Sequence, residues 1–391
     1  MKIFLLLSFF IFSPSWAEWV PETAPIARAL NDNYKNSGDS YLMTAWGGWQ
    51  RLFSWSSVKG EIVQAATSFT KTGNVEYYRY RHSSKDPRPL FILFPGIFGE
   101  PGQRVTDNFI EMLEALDGHV IVVPNFLSMG WVRGYPLYGE GDPSKTELNI
   151  THDIWRDVIK YIPESSISKV HVVGESLGTL ISSAWVSQKE WKPRPSSLTL
   201  LWPPLELDRA LDNIDLYVTT LESDWKRCGL FFTLPIFMKY FVMDTTPKEI
   251  SQTDGRCLSA WVAYMGFQKT LRNVYTVHAE TNKVPDLNPA TFKFFFQSYR
   301  KPFWDTIQKR DQTMHLGYWL KKIKIEQSLI DLQVLSSRDD FLNEGFSWES
   351  WRTRVGLNEN EIILLDWGGH SGPVAAKEFE LLLQTEFMAK K

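Results

Sequence analysis

The sequence predicts an α/β protein: a mostly parallel sheet flanked by helices and interrupted by a large, mainly helical insertion. Three observations carry this expectation. Short apolar runs alternate with stretches of helical spacing along residues 59–204 and again along 329–391. Several of the runs are apolar at every position, as strands covered on both faces must be. The alternation stops at Pro203-Pro204 and resumes only after about 120 residues, far more than an ordinary connection takes.

The elements follow in order. "EIVQAATSFT" and "VEYYRYRH" read as a hairpin broken at Thr72-Gly73-Asn74. "PLFILFPG" is a continuous apolar strand that ends in Pro95-Gly96. "TDNFIEMLEAL" has helical spacing, with Thr106 or Asp107 as the candidate cap. "HVIVVPNF" is a further strand, and "ELNITHDIWRDVIKYI" an amphipathic helix. "KVHVVG" then leads into the helix "LGTLISSAWVSQKEW" and the strand "SSLTLLW". Beyond the insertion come "SLIDLQVLSS", a helix near "SWESWRTRV", the strand "EIILLDW" and a last helix, "GPVAAKEFELLLQTEF". The organisation expected is an extension over 18–58, a core over 59–204 and 329–391, and a helical cap over 205–328.

The first residues have a different character. Lys2 precedes an apolar run, Ile3 to Phe12, that is too short to span a bilayer. Ser15 and Ala17 put small residues where a signal peptidase requires them. Residues 1–17 are therefore expected to be a signal peptide, and the chain to be exported, periplasmic or secreted. The two cysteines, Cys228 and Cys257, suit an exported chain. A disulfide between them and a pair of free buried thiols both remain open at this level, because spacing says nothing about whether two sulfurs meet.

The formal charge of −3 is spread along the chain without a basic block, so nucleic acid is not an expected partner. No second long apolar run occurs, so no stable membrane span is expected. Aromatics make up 14% of residues, 17 of them tryptophan, which supplies much apolar surface for burial or for ligand contact. H-E-x-x-H, C-x-x-C and G-x-G-x-x-G are all missing from the sequence, so no cofactor and no metal is expected. "GEGDPSKT" comes near a phosphate-binding loop. However, it has Ser144 where the second glycine belongs, and Pro143 lacks an N–H that such a cradle would use. It reads as an ordinary loop before a helix.

Chemistry is expected at the carboxyl ends of the parallel strands. Gly174-Glu175-Ser176-Leu177-Gly178 follows "KVHVV" and opens a helix. Pro95-Gly96-Ile97 follows "LFILF". Arg338-Asp339-Asp340 follows "LQVLSS", and Gly368-Gly369-His370 follows "IILLDW". A strand, then G-x-S-x-G, then a helix, with serine, acid and histidine in that chain order, resembles the α/β-hydrolase superfamily over nearly all of the chain beyond residue 60.

The resemblance implies a Ser176–Asp340–His370 triad. Ser176 would be the nucleophile, and His370 the base that takes its proton and returns it to the leaving group. A carboxylate would hold the imidazole tautomer. Asp340 has the offset of the family's G-x-x-D pattern, with Ser337 in place of the glycine. Asp339 is the near alternative, and Glu206 or Asp208 would serve if the acid came from the earlier strand. The oxyanion donors implied are the backbone N–H groups of Leu177 and Ile97. Many relatives have His-Gly where this chain has Pro95-Gly96. Among the other histidines, His82, His119 and His171 flank strands or turns, His152 lies in a helix, and His278 and His315 lie in the insertion. The function implied is ester hydrolysis through an acyl-enzyme on a small-molecule or lipid-like ester. A peptidase, an acyltransferase or a non-catalytic binding protein on the same scaffold are the alternatives.

Overall fold

The computed structural model describes residues 26, 28–29, 58–97, 99–102, 104–125, 143–188, 191–242, 250–262, 315–327, 329–375 and 377–389. The expected signal peptide, most of the 18–58 extension and His278 lie outside these residues.

Eight strands form one sheet: β1 (Glu61–Ala66), β2 (Asn74–Tyr80), β3 (Arg88–Phe94), β4 (His119–Val122), β5 (Ile167–Glu175), β6 (Ser197–Leu201), β7 (Asp331–Ser337) and β8 (Ile362–Leu365). Their order across the sheet is β1-β2-β4-β3-β5-β6-β7-β8. β1 and β2 are the expected hairpin. β2 runs antiparallel to β4, and every pairing from β4 to β8 is parallel. The helices between strands are α1 (Arg104–Glu114), α2 (Pro143–Tyr161) and α3 (Leu177–Val186). They are followed by α4 (Leu207–Val242), α5 (Gln252–Val262), α6 (Leu316–Glu326), α7 (Trp348–Val355) and α8 (Lys377–Ala389).

Strand alternation builds two cores, because successive side chains leave a strand on opposite faces. Leu90, Ile92 and Phe94 of β3 join one buried cluster with Ile154 and Val158 of α2, Leu180 of α3, Leu320 of α6 and Trp351 of α7. Phe91 and Leu93 join the other, with Phe109 and Leu113 of α1 and Phe379 and Leu382 of α8. β2 repeats the pattern with polar tips. The Tyr77 hydroxyl donates to Asp157 of α2 at 2.6 Å, while that of Tyr78 donates to Glu114 of α1 at 2.6 Å on the other face. Burial and these carboxylates push both phenols well above the ordinary tyrosine range. Each tyrosine thereby fastens the antiparallel edge to one helical layer.

Several local expectations differ from the structure. α1 begins at Arg104, so Thr106 and Asp107 lie inside it rather than at its cap. The Asp107 carboxylate instead reaches back and accepts from the Gly102 N–H at 2.8 Å. α2 begins at Pro143, within the near-match to a phosphate loop. Proline suits a first helical position because its missing N–H has no partner there anyway. α3 stops at Val186, short of the stretch read as helical. His171 is not at a strand margin but inside β5. There it is buried, stacks on Phe91 at 5.3 Å and meets Ser197 Oγ at 2.7 Å.

The segment between β6 and β7 carries α4, α5 and α6. Within α4 the helical geometry breaks at Gly229, whose φ is 59°. Cys228, just before that break, is bonded to Cys257 of α5. The disulfide is thus the form the structure takes. It clips α4 to α5 with 5.6 Å between the two Cα atoms. Leu316, Leu320 and Ile323 of α6 are buried in the same core as α3 and α7, so the segment ends in a helix of the layer over the sheet. Among the described residues, no helix is long and apolar enough to cross a membrane.

Candidate active site

β5 ends at Glu175 and α3 starts at Leu177, leaving one residue to turn the chain. That residue is Ser176, with φ 49° and ψ −121°. A residue with a Cβ pays a steric cost for such a backbone, and the surroundings must hold it there. Two contacts do so: the Ser176 N–H donates to Leu201 O of β6 at 2.8 Å, and the Thr179 hydroxyl donates to Ser176 O at 2.6 Å. The flanking glycines make the turn possible. A Cβ on Gly178 would come within 2.6 Å of Pro95 O, and one on Gly174 within 2.8 Å of the Thr179 Cα. The elbow can approach β3 and α3 only because those atoms are missing.

His370 lies after β8 on a loop whose residues Gly368, Gly369 and Ser371 all have positive φ, 141°, 56° and 60°. Its Nε2 is 2.8 Å from Ser176 Oγ, across 194 positions of sequence. Its Nδ1 is 3.1 Å from Asp340 Oδ2 and 3.2 Å from Oδ1. With the serine hydroxyl donating to Nε2, Nδ1 carries the ring proton and donates it to the carboxylate. Phe341 stands edge-on to the imidazole at 5.9 Å. The Asp340 side chain is fully buried, and that of His370 is 12% exposed. Solvent therefore reaches the imidazole but not the carboxylate behind it.

Asp340 opens a short 3-10 turn, Phe341–Asn343, which its own carboxylate caps by accepting from the Leu342 N–H at 3.0 Å. Asn343 ties this turn to the end of β6. Its Nδ2 donates to Pro203 O at 2.9 Å and to Asp340 Oδ2 at 3.4 Å, and its Oδ1 accepts from the Leu205 N–H at 2.9 Å. From the inserted segment, Asn213 of α4 donates to Phe341 O at 2.8 Å, and Tyr217 stacks on Phe341 at 4.7 Å.

The structure thus brings Ser176, His370 and Asp340 together. Asp339 points elsewhere and accepts from the Gly369 N–H at 2.8 Å. Its Oδ2 is buried without a partner. Burial raises its pKa to about 6, and the neighbouring Asp340 charge adds to the rise, while the Gly369 and Gly368 N–H groups oppose it. Glu206 is not beside His370 but pairs across a β-bridge with His315, at 3.8 Å between Oε1 and Nδ1. Asp208 sits in the first turn of α4.

Of the two expected oxyanion donors, Leu177 is the first residue of α3, where N–H groups have no intrahelical acceptor. Ile97 lies in the loop after β3, beside the elbow: a Cβ on Gly96 would be 3.1 Å from the Ser176 Cβ. Neither backbone N–H donates to another group among the described residues. Sequence reasoning missed two side chains here. Glu175, between the glycine and the serine of the motif, is buried and accepts from the Gly96 N–H at 3.1 Å. Asn125, three residues beyond β4, is buried and donates to Gly96 O at 2.7 Å. No local pattern marks either, because their partner lies 79 and 29 positions away.

No family model matches the chain, and no curated protein does. Solved structures do align with it. The Pyrococcus furiosus esterase Pf2001 is 14% identical over 86% of this chain and 93% of its own, with a TM-score of 0.46. Est1E from Butyrivibrio proteoclasticus is 13% identical over 84% and 98%, with a TM-score of 0.42. The acylaminoacyl peptidase of Pyrococcus horikoshii is 10% identical over 86% of this chain and 41% of its own, with a TM-score of 0.45. The fold rests on the chain's own topology. One antiparallel strand, β2, is followed by a parallel run in the order 4-3-5-6-7-8. Helices cover both faces, and the turn after β5 holds a serine at positive φ. With these features the chain has the α/β-hydrolase fold.

Proposed function

We propose that the chain is a serine hydrolase, and specifically a carboxylic ester hydrolase that works through an acyl-enzyme. The observation that carries the reading is the unbroken hydrogen-bonded line from Ser176 Oγ through His370 to a buried carboxylate. In this reading His370 takes the serine proton as Oγ attacks the ester carbonyl. Asp340 stabilises the imidazolium that forms, and His370 then protonates the departing alcohol. The developing oxyanion meets the N–H groups of Leu177 and Ile97. In the second half, a water replaces the alcohol and the same imidazole activates it. The buried carboxylate keeps its place through the donors Leu342 N–H and Asn343 Nδ2.

The segment 205–328 is proposed as a cap that supplies an apolar pocket for the acyl or alkyl group. Support for this comes from α4, which is attached to the acid turn through Asn213 and Tyr217 and so lies next to the site. Export is proposed from the N-terminal pattern, and the Cys228–Cys257 bond suits an oxidising compartment.

The test is hydrolysis of p-nitrophenyl esters of graded acyl length by the purified protein and by Ser176→Ala. The wild-type chain should turn over at least one member of the series. The variant should lose activity by several orders of magnitude, the scale on which removing a triad serine acts. Retained hydrolysis in Ser176→Ala would refute the assignment.

A further inference from the structure

We propose that Asn125 and Glu175 are positioning residues for the oxyanion hole, acting by fixing the orientation of the Gly96–Ile97 peptide. The inference rests on the serine hydrolase reading above and adds to it the means by which one oxyanion donor is aimed. A trans peptide is planar, so its C=O and N–H point in opposite directions. Whatever holds Gly96 O therefore also sets the direction of the Ile97 N–H. Two donors hold that oxygen, Asn125 Nδ2 at 2.7 Å and the Gly99 N–H at 2.9 Å. Asn125 also reaches Pro95 O, at 3.3 Å. On the preceding peptide, the Gly96 N–H is held by Glu175 Oε2 at 3.1 Å. Rotation of either peptide would break one of these buried bonds.

The clamp joins the parts that must keep register. Asn125 is anchored beyond β4, where the Val123 N–H donates to Leu93 O of β3 at 2.9 Å. Glu175 is the last residue of β5 and the immediate neighbour of Ser176. A shift of the nucleophile elbow is thus carried directly into the loop that bears Ile97. At the clamped position itself Gly96 has no side chain, and one could not be added freely with the Ser176 Cβ at 3.1 Å. The Ile97 N–H is left without a partner among the described residues, as a donor reserved for a ligand would be. An oxyanion donor acts chiefly when charge appears on the carbonyl oxygen, so misaiming it should slow turnover without weakening ground-state binding.

The experiment compares Asn125→Leu, Asn125→Asp, Glu175→Leu and Glu175→Gln with wild type. The readouts are kcat and KM on the best ester and inhibition by a trifluoromethyl ketone, which forms a tetrahedral oxyanion adduct on the serine. The two Asn125 variants and Glu175→Leu should lose about 10- to 100-fold in kcat with KM within about 2-fold, since a donor removed outright costs about 10²–10³. Affinity for the ketone should fall by a similar factor. Glu175→Gln keeps an acceptor for the Gly96 N–H and should recover most of the activity. Should Asn125→Leu fail to fold, Asn125→Asp keeps the shape while removing the donor, and the Glu175 pair tests the same peptide independently. Unchanged kcat in the variants, or a fall in kcat with ketone affinity unmoved, overturns the clamp while leaving the nucleophile assignment standing. A wild-type chain that neither hydrolyses esters nor binds the ketone overturns both.

Discussion

The elbow after β5 and the turn after β7 hold the two ends of one hydrogen-bonded line, but by different means. The elbow is held by close main-chain approach, with Leu201 O and the Thr179 hydroxyl bonded to the Ser176 backbone. Ser176 sits at φ 49°, and the closeness of neighbouring main chain requires glycine at 174 and 178. The acid turn has no glycine between Ser337 and Glu344. Beside the turn's own main-chain bonds, side chains anchor it: Asp340 caps its own 3-10 turn, and Asn343 bridges that turn to Pro203 and Leu205. A site can therefore be positioned by strain that only certain residues tolerate, or by a local network of hydrogen bonds. The first leaves a motif in the sequence, and the second leaves almost none.

The turn should respond to changes of side chain and the elbow to added atoms. The largest effect expected in the turn is from Asp340→Asn. It keeps the size of the side chain but loses the charge that, in the proposed mechanism, stabilises the imidazolium, and its amide can oppose the Nδ1 proton. Turnover should fall by about 10⁴, the size of effect seen when a triad carboxylate is made an amide. The unfolding midpoint should stay near wild type, since a carbonyl oxygen remains for the Leu342 N–H. Steady-state kinetics beside thermal unfolding checks both halves. A mild rate loss would remove Asp340 from the site.

In the elbow, Gly178→Ala should act through space alone. The new methyl would run into Phe94 O at the end of β3 and stand 2.6 Å from Pro95 O, so the end of β3 or the start of α3 must move. Overpacking of this kind costs about 1–3 kcal/mol. Here it also separates Ile97 from Ser176, so stability and activity should fall together. Denaturant unfolding with an activity assay would show it. A variant as stable and as active as wild type would mean that the close approach is not needed.

The smallest effect sharpens the contrast between the two adjacent aspartates. Asp339 has one buried oxygen without a partner, and burial pushes its pKa up to about 6 from the ordinary 3.8 of a free aspartate. Because the folded pKa is raised, the folded state holds its proton more tightly than the unfolded state does. The ionised form is thus the costly one: stability drops as pH rises from about 4 to 6 and stays reduced above that. Asp339→Asn removes that charge and keeps an acceptor for the Gly369 N–H. It should stabilise the protein by roughly 1–3 kcal/mol at pH 8, with the gain shrinking toward zero by pH 4. Urea midpoints across this range test the sign. A gain that grew toward low pH would contradict it.

Legibility followed the same division. Strands such as β3 and β4 were readable because their runs are apolar on both faces, β1 and β2 because a turn at Thr72-Gly73-Asn74 splits them, and the elbow because two glycines bracket a serine after an apolar strand. His370 stood out behind Gly368-Gly369, which take the positive φ values that loop uses. The choice between Asp339 and Asp340 was not readable in the same way. It depends on which carboxylate faces Leu342 and Asn343 and which faces Gly369, and neighbouring residues of one type differ there only by backbone direction. Glu175 and Asn125 were missed because their shared partner is the main chain of Gly96, far away in sequence. The start of α1 was misplaced because Asp107 resembles a cap, whereas its carboxylate serves Gly102 from within the helix.

The central claim is that Ser176 is an activated nucleophile. The most direct measurement is reaction of the native protein with a fluorophosphonate, followed by peptide mass spectrometry. The account predicts one adduct per chain, on the peptide carrying Ser176, with labelling slowed strongly in His370→Ala. A folded wild-type protein that remains unlabelled, or carries the adduct on another residue, would contradict it.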